Sequence, residues 1–274
     1  MFEKMMNNVN TKCPLVHNIT NYVTVNDVAN VVLACGASPI MADDIAEAEE
    51  ITSICNSLNI NIGTLNSRTI GSMIAAGKKA NELNHPTVLD PVGIGASALR
   101  TGTAFELLDN IKFSVIRGNC SEIKNVYGKT AATKGVDVNV NDKITEDNYK
   151  DFANLAKSLS AKTGAIIAIS GAIDIIADSK KAYAIRNGNA LMSKITGTGC
   201  MLSGLIGAYI GANPDNILDA TATAVCVMGL AGEIAYDKII QQNAGTSSYR
   251  TFIIDAISNM NYDILKGGAK IESI

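Results

Sequence analysis

Short runs of β-branched residues alternate along the chain with longer stretches in which apolar residues recur at helical spacing. The runs that predict strands are Ser38–Met41, Asn61–Ile62, Thr87–Leu89, Ser114–Arg117, Ala165–Ile169, Asp174–Ala177 and Lys181–Arg186. The stretches that predict helices are Val25–Ala34, Ala46–Leu58, Arg68–Leu83, Ala98–Asn110, Ser121–Tyr127, Asp147–Thr163, Cys200–Gly211, Asn216–Lys238 and Ser248–Leu265. Because strands and helices alternate from residue 38 to residue 170, the pattern predicts right-handed βαβ units and an α/β layered fold.

The strands themselves indicate the type of sheet. Ala165–Ile169 is apolar at every position, which is typical of a strand buried on both faces of a parallel sheet. Asp174–Ala177 and Lys181–Arg186 are joined by a short polar turn and predict a hairpin at the sheet edge. No linker-like composition interrupts the chain. We therefore expect a mostly parallel central sheet flanked by helices, in a single domain that spans residues 1–274.

Charge limits the class of partner. With 23 basic and 26 acidic residues and a net charge of −3, the chain lacks the basic field that nucleic acid or an anionic membrane attracts. The stretch between Lys194 and Asp215 is uncharged, but five glycines and several polar residues break it. It therefore does not predict a membrane span. These observations favour a small-molecule partner, with no nucleic acid and no membrane.

The cysteines indicate a reducing compartment. They are scattered without a CxxC pair or a Cys/His cluster, at Cys13, Cys35, Cys55, Cys120, Cys200 and Cys226. This spacing fits neither a zinc site nor a small disulfide framework. The N-terminal segment also lacks the apolar stretch of an export signal. Reduced thiols in a cytoplasmic protein are the prediction.

Ligands of open α/β sheets bind at the carboxyl ends of the strands, so the segments that follow the strands are the candidate sites. The first of these places Asp90 at the end of a buried strand, followed by Pro91, Gly93 and Gly95. A ligand-binding loop and a purely structural turn both fit this segment. The loose match to a dinucleotide fingerprint is weak, because Asp90 and Pro91 separate the strand from the glycines.

The second segment follows the strand that ends at Arg117. Its guanidinium could hold a phosphate in bidentate geometry. Asn119 and Glu122 lie three residues apart at a predicted helix start, where they could serve a cation directly or through water. The alternative is that they only cap the helix.

The third segment, Ile195–Cys200, leads into an uncharged helix. Backbone N–H groups of Gly197 and Gly199 could point at one position, and the helix N-terminus adds partial positive charge, so the segment predicts an anion hole. The helix dipole is expected to lower the pKa of the Cys200 thiol, which could then act as a base or nucleophile. A buried packing cysteine is the alternative.

Two further side chains could contact a substrate. His17 lies in the polar run His17–Asn21, which no core needs, and is a candidate substrate contact. Met41 ends a predicted strand, where its thioether could line a small apolar pocket or simply fill the core.

Taken together, five segments resemble hydroxyethylthiazole kinase, a family of the ribokinase-like superfamily. They are Pro14–Val23, Gly36–Ala42, Leu89–Gly93, Ile116–Asn119 and Thr196–Cys200. The resemblance covers about residues 10–260. It implies a ribokinase-like layered fold, ATP-dependent phosphorylation of the hydroxyl of 4-methyl-5-(2-hydroxyethyl)thiazole in thiamine biosynthesis or salvage, and a homotrimer with active sites at subunit interfaces.

The resemblance also implies roles for nucleotide and metal residues. Arg117 and Ser170 match the ATP-binding positions, and Ser170 keeps the hydroxyl of the threonine that is common there. Asp90 and Glu122 match the acidic residues associated with Mg²⁺. The amides of Gly197 and Gly199 would stabilise phosphate charge.

Substrate and catalytic residues follow from the same resemblance. Met41 and Gly197 match thiazole-binding positions, and the polar run adds His17 and Asn21 as predicted substrate contacts. Cys200 stands where many ribokinase relatives have aspartate, and it would accept or orient the proton of the substrate hydroxyl. A loose phosphoryl-transfer transition state depends little on the strength of the base, so a thiol can take the place of the carboxylate.

Four alternatives remain open. Hydroxymethylpyrimidine kinase and other ribokinase-like small-molecule kinases share the superfamily. A ribokinase-like hydrate dehydratase of nicotinamide nucleotides would share the fold but not the thiazole motifs. A non-enzymatic thiazole sensor, suggested by cysteine in place of aspartate, would bind thiazole without producing ADP. An NAD-dependent oxidoreductase rests only on Gly93 and Gly95.

Overall fold

The computed structural model describes residues 1–130 and 143–274, with side chains described to residue 128 before the gap. The strands in this part of the chain are β1 Leu15–Ile19, β2 Ser38–Ile40, β3 Ser57–Asn61, β4 Thr87–Asp90, β5 Val115–Asn119, β6 Ile166–Ser170, β7 Asp174–Ala177, β8 Ala182–Ile185 and β9 Ile271–Ser273. The helices are α1 Phe2–Lys12, α2 Val25–Ala34, α3 Ala48–Ile54, α4 Ser67–Glu82, α5 Ala98–Asn110, α6 Cys120–Thr130, α7 Tyr149–Thr163, α8 Thr198–Ala212, α9 Ile217–Gln242, α10 Thr246–Ser258 and α11 Tyr262–Gly268, with a 3₁₀ helix over Ala190–Lys194.

All the described strands join one sheet in the order β2-β1-β3-β4-β5-β6-β7-β8-β9. The pairings from β2 to β6 are parallel, and those from β6 to β9 are antiparallel. The prediction of a mostly parallel central sheet flanked by helices is therefore confirmed.

The core lies on both faces of this sheet. Along β6, Ile166 and Ala168 join a cluster formed mainly with α1, α2, α8, α9 and α10. Ile167 and Ile169 join the opposite cluster, with α4, α5, α6 and α7. Since successive side chains of a strand point to opposite faces, a strand covered on both sides must be apolar at every position. This accounts for the continuous apolar run in the sequence.

Helix α9 has the length and apolar composition of a membrane span, with a mean hydropathy of 1.5 over its most apolar window. In the structure 72% of that window is buried inside the protein, where it packs against α8, α10 and the sheet. Burial of this extent is typical of the core helix of a globular protein, so the helix is weak evidence for a membrane.

Helix α8 lies close to the sheet because glycines face the strands. A Cβ atom at Gly207 would stand 3.1 Å from Val16 of β1, and one at Gly211 would stand 3.0 Å from the Ser57 hydroxyl of β3. On the other side, a Cβ at Gly204 would stand 2.8 Å from Val28 of α2. Small residues therefore let α8 pack between the sheet and α2, with its N-terminus at the carboxyl edge of the strands.

The structure corrects the predicted elements near the N-terminus. The polar run that contains His17 was expected to lie outside the core. Instead, Leu15–Ile19 forms the buried strand β1, and His17 is fully buried. The helix predicted over Ala46–Leu58 ends at Ile54, and β3 follows from Ser57. Helix α1 was not predicted. Strands β1 and β3 carry buried polar side chains, so most of their length lacks the apolar pattern from which strands are predicted.

Two corrections concern the C-terminal part. The helix predicted over Ser248–Leu265 is two helices, because Asn261 caps a new helix by accepting from the Ile264 N–H at 3.0 Å. The predicted hairpin of β7 and β8 is confirmed, and the N–H groups of Lys180 and Lys181 donate to the Asp178 carboxylate in its turn. The hairpin is not the sheet edge, since β9 pairs with β8.

Candidate functional site

Polar side chains converge where β3, β4, β5 and β6 end. Asp90 closes β4, Arg117 lies in β5 and Ser170 closes β6. Cys200 lies in the first turn of α8, and Asn61, which closes β3, donates to both Cys200 and Asp90. Parallel strands end at a common edge, so residues far apart in sequence form one site.

Arg117 is the charged centre of this site and is 9% exposed. Its Nη1 lies 3.4 Å from one oxygen of Asp90 and 3.5 Å from the other, and its Nη2 donates to the Ser170 hydroxyl at 2.8 Å. Burial raises the pKa of Asp90 to about 6, although Arg117 acts in the opposite direction. The pair is therefore ionised at neutral pH, with the carboxylate held by the guanidinium.

One polar atom of Arg117 has no partner within the described chain. The Nε atom is buried and makes no hydrogen bond. Gly199 lies directly against the guanidinium, since a Cβ atom there would stand 2.5 Å from Nη1. The guanidinium therefore lies beside the first turn of α8, and a cation next to a helix N-terminus suits an anion with several acceptor oxygens.

Gly197 precedes α8, whereas Gly199 is its second residue, because the helix begins at Thr198 and not at Cys200 as predicted. Gly197 has φ of 89°, and a Cβ atom there would collide with the Thr24 side chain. The left-handed backbone and this close approach both require glycine. The segment thereby brings the N-terminus of α8 close to α2.

Cys200 is buried, and amide groups surround its sulfur. Asn21 Nδ2 lies 3.1 Å and Asn61 Nδ2 3.3 Å from Sγ. Burial and the charge of Asp90 raise the pKa of the Cys200 thiol, against the hydrogen bonds and Arg117. The expectation that the helix dipole lowers this pKa is wrong, because desolvation outweighs the dipole. At neutral pH the group is a thiol with two donors directed at it.

Glu122 and Asn119 form the reciprocal cap that the sequence left as an alternative. Glu122 Oε2 accepts from the Asn119 N–H at 2.8 Å, and Asn119 Oδ1 accepts from the Glu122 N–H at 2.9 Å. Glu122 Oε1 also accepts from the Gly93 N–H at 2.9 Å. Glu122 thus joins the loop after β4 to the loop after β5.

A cavity of about 840 Å³ opens beside Arg117. Its wall includes Arg117, Ser170, Thr198 and Gly199, and it extends past Asn187 toward α9. In the described part of the chain, Met41, His17, Asn21, Gly197 and Asp90 do not line it. Three of the predicted nucleotide residues, Arg117, Ser170 and Gly199, therefore share a wall. Gly197 and the other predicted substrate residues lie outside it.

His17 occupies a closed position. Its Nδ1 lies 2.9 Å from the Thr52 hydroxyl and its Nε2 lies 2.7 Å from the Ala42 carbonyl oxygen. Burial lowers the pKa of His17, so the ring is neutral at pH 7. Both ring nitrogens are bonded within the chain, which gives His17 a role in joining β1 to α3 and to the segment after β2. Met41 is half-buried in that segment, one residue beyond the end of β2.

Three residues of the site were not predicted from the sequence: Asn61, Ser203 and Asp174. Ser203 donates to Asp90 Oδ2 at 2.7 Å. Asn61 had a usable signal, because it is a polar residue at the boundary of a predicted strand. Ser203 had none, since its partner lies 113 positions away.

Asp174 lines the cavity at the start of β7 and accepts from the Gly171 N–H at 2.8 Å. Burial raises its pKa to about 7, against that hydrogen bond and the charge of Arg117. In the folded state Asp174 retains its proton between its ordinary value and about pH 7, so stability falls as pH rises through this window. Above pH 7 the buried charge carries its full cost.

We expect Asp174→Asn to stabilise the protein by about 1 kcal/mol at pH 8.5, because asparagine keeps the Gly171 bond without the charge. At pH 5 the gain is expected to be smaller, since Asp174 still holds its proton in the folded state. Denaturant unfolding at both pH values measures the difference. A gain of equal size at pH 5 and pH 8.5 would rule out the ionisation as its cause.

Comparisons with known proteins agree with this geometry. A model of the hydroxyethylthiazole kinase family matches residues 6–263. Hydroxyethylthiazole kinase of Clostridium acetobutylicum is 60% identical over 273 residues, covering 100% of both chains. The corresponding enzyme of Clostridium beijerinckii is 53% identical over 98% of this chain and 96% of its own.

Solved structures give the same result. Hydroxyethylthiazole kinase from Pyrococcus horikoshii superposes with a TM-score of 0.87 at 33% identity, covering 100% of this chain and 98% of that one. A ribokinase-like superfamily protein from Enterococcus faecalis superposes at 0.63 with 14% identity, covering 97% and 89% of the two chains, which supports the fold alone. The predicted ribokinase-like layered fold is thus confirmed, and the chain belongs to the hydroxyethylthiazole kinase family.

Proposed function

We propose that this chain transfers the γ-phosphoryl group of ATP to the hydroxyl of 4-methyl-5-(2-hydroxyethyl)thiazole, a step of thiamine biosynthesis or salvage. One observation carries the proposal: the Cys200 thiol and the Arg117 guanidinium are held around the same Asp90 carboxylate at the N-terminus of α8. A proton acceptor for an alcohol and a binding group for phosphate are thereby adjacent. The 60% identity to a hydroxyethylthiazole kinase over the whole chain supports this substrate.

The cavity beside Arg117 is the proposed ATP site. Arg117 would bind phosphate oxygens through its cavity-facing edge, with Ser170 holding Nη2 in place. The N–H groups of Gly197 and Gly199 would stabilise negative charge on the transferred group. Phosphoryl transfer depends mainly on positioning and charge neutralisation, which these groups supply without covalent chemistry.

The chemistry of Asp90 and Glu122 suits a magnesium ion held largely through water. Asp90 Oδ2 already accepts from Asn61 and Ser203, whereas in the described part of the chain its Oδ1 meets only Arg117, at 3.5 Å. Each oxygen of Glu122 accepts one N–H group and keeps a second lone pair. No cluster of three acidic, histidine or cysteine ligands occurs among the described residues. Mg²⁺ keeps several waters and takes few protein ligands, so two acids with substrate phosphates suffice. When bound, the ion would neutralise charge on the phosphates.

In its thiolate form, Cys200 would receive the proton of the substrate hydroxyl as the oxygen attacks phosphorus. Its sulfur lies at the start of α8, one residue beyond Gly199. Because burial raises its thiol pKa, the fraction present as thiolate grows as the pH rises. Activity that depends on the thiolate is then expected to increase from neutral to alkaline pH.

The thiazole would bind on the side of Cys200 away from the cavity. Asn21 donates to Cys200 there, and Gly197 lies against Thr24. Met41 would offer its thioether to the apolar ring. A direct contact of His17 with the substrate has less support, because its ring is enclosed; it would act by holding the segment that carries Met41.

A homotrimer with the thiazole site at the subunit interface is consistent with the surface next to Asn21. Tyr22 is 76% exposed and Val23 is 56% exposed, and Ile45 near Met41 is 53% exposed. Adjacent exposed apolar side chains favour a protein interface. Sedimentation equilibrium in a reducing buffer should give three times the mass of one chain. A mass equal to one chain would contradict the trimer.

A coupled assay of ADP release, with Mg²⁺, ATP and one alcohol at a time, tests the function. We expect turnover with hydroxyethylthiazole and at least about tenfold lower kcat/KM with hydroxymethylpyrimidine, because a site that matches one ring discriminates against another of different shape and polarity. Preference for the pyrimidine would reassign the substrate. Thiazole binding without ADP would indicate a sensor.

A further inference from the structure

Asn61 occupies an unusual position between the two groups that the proposed reaction needs. It closes β3 and is 1% exposed. Its Nδ2 atom lies 2.8 Å from Asp90 Oδ2 and 3.3 Å from Cys200 Sγ. A side-chain amide nitrogen carries two hydrogens, so each acceptor can receive one of them.

The orientation of this amide is determined by its surroundings. Asn61 Oδ1 accepts from the Gly63 N–H at 2.9 Å and from Asn21 Nδ2 at 3.0 Å. A backbone N–H can only donate, so the atom that faces Gly63 must be the oxygen. The NH₂ group therefore faces Asp90 and Cys200, and a rotation by half a turn would break four hydrogen bonds.

We infer that Asn61 is a positioning residue, which holds the Cys200 sulfur and the Asp90 carboxylate at a fixed separation through one rigid amide. The inference rests on the proposed function, because it assigns a role toward the group that receives the hydroxyl proton. Asn61 does not touch the reacting atoms in this account. It prevents Cys200 from turning away from the substrate when Asp90 pairs with Arg117.

The neighbouring contacts show why no other residue replaces Asn61. Ser203 donates to Asp90 but not to Cys200, and Asn21 donates to Cys200 but not to Asp90. Among the described residues, Asn61 alone bonds both groups. Displacement of a reacting group by about 1 Å can cost about a hundredfold in rate, so loss of this link should act on turnover.

The test compares Asn61→Leu with Asn59→Leu. Leucine has the same branching at Cγ as asparagine but has no hydrogen-bond donor. Asn59 is a matched control, because it lies two positions earlier on the same strand, is fully buried and donates to Asn18 instead of to the site. We expect Asn61→Leu to lower kcat at least about tenfold while the KM for ATP stays within about twofold, and Asn59→Leu to stay within about twofold in both.

A second readout needs no turnover. The rate at which iodoacetamide alkylates Cys200, followed by peptide mass spectrometry without substrates, should fall at least about twofold in Asn61→Leu, because the sulfur loses a donor that favours the thiolate. Should Asn61→Leu fail to fold, Asn61→Ala removes both donors with a smaller, uncharged side chain, and the same results are expected. If the parent protein makes no ADP but Cys200 reactivity still responds to Asn61, the proposed function fails and the positioning role stands.

Parental kcat and parental Cys200 reactivity in the Asn61 variant would overturn the inference. Equal losses of kcat in the Asn61 and Asn59 variants would also overturn it, since they would show a general effect of disturbing β3. A rise in the KM for ATP at unchanged kcat would place Asn61 in nucleotide binding instead.

Discussion

Replacing Arg117 with alanine is expected to abolish tight ATP binding and to lower kcat/KM for ATP by about 10²–10³-fold. Removal of a single donor aimed at developing charge costs about that much in other enzymes. Arg117 lies on the cavity wall, and its buried Nε has no hydrogen-bond partner among the described residues. The substitution also leaves the buried carboxylate of Asp90 without its guanidinium.

The loss of the guanidinium beside Asp90 gives the stability of Arg117→Ala a distinctive pH dependence. Without Arg117 the pKa of Asp90 should rise further above 6, because burial is then opposed only by neutral donors. The variant is expected to lose about 3 kcal/mol of stability at pH 8, where Asp90 must be charged, and less at pH 5, where it holds a proton.

Calorimetric titration with an ATP analogue and urea unfolding at the two pH values measure these effects. Arg68→Ala is the matched control, because Arg68 pairs with Asp43 and Asp44 on the exposed surface. It should change stability by less than about 1 kcal/mol and leave nucleotide affinity unchanged. Unchanged nucleotide affinity in Arg117→Ala would remove Arg117 from the ATP site.

Replacing Cys200 with alanine is expected to lower kcat by about 10²–10⁴-fold and to change the KM values by less than about threefold. A positioned base contributes a factor of that size to the chemical step. The thiol faces the amides of Asn21 and Asn61 rather than the ATP cavity, so ground-state binding of ATP should survive its loss. Effects on kcat alone identify an interaction made in the transition state.

Steady-state and single-turnover kinetics of Cys200→Ala measure this loss. Cys226→Ala is the control, since Cys226 is a fully buried thiol on α9. Cys200→Ser separates two roles: partial activity would indicate that the group mainly orients the hydroxyl, and activity as low as in alanine would indicate a base. Parental turnover in Cys200→Ala would reject both roles.

Features that depend on chain order and strand ends were predictable from the sequence. Asp90 and Arg117 each lie at the end of an apolar run, and parallel strands must end at one edge of the sheet. That rule alone predicts their approach, and the structure pairs them at 3.4 Å. The glycines before α8 were equally visible, because glycine at a helix start marks unusual backbone geometry.

Features that depend on tertiary burial were not predictable. His17 and Asn59 are polar positions that concealed β1 and most of β3 from prediction, and only the finished fold shows that their polar atoms are used inside it. The same holds for ionisation. A helix dipole can be read from sequence, but the desolvation that raises the pKa of Cys200 comes from packing between α2, α8 and the sheet.

The central claim is transfer of phosphate to the thiazole alcohol, and one measurement tests it most directly. The purified protein is incubated with Mg²⁺, ATP and hydroxyethylthiazole, and ADP and phosphorylated thiazole are quantified together by mass spectrometry. We expect both products to form in equal amounts and neither to form with Cys200→Ala above a small residual rate. ADP formed without phosphorylated thiazole, or no ADP above background, would contradict it.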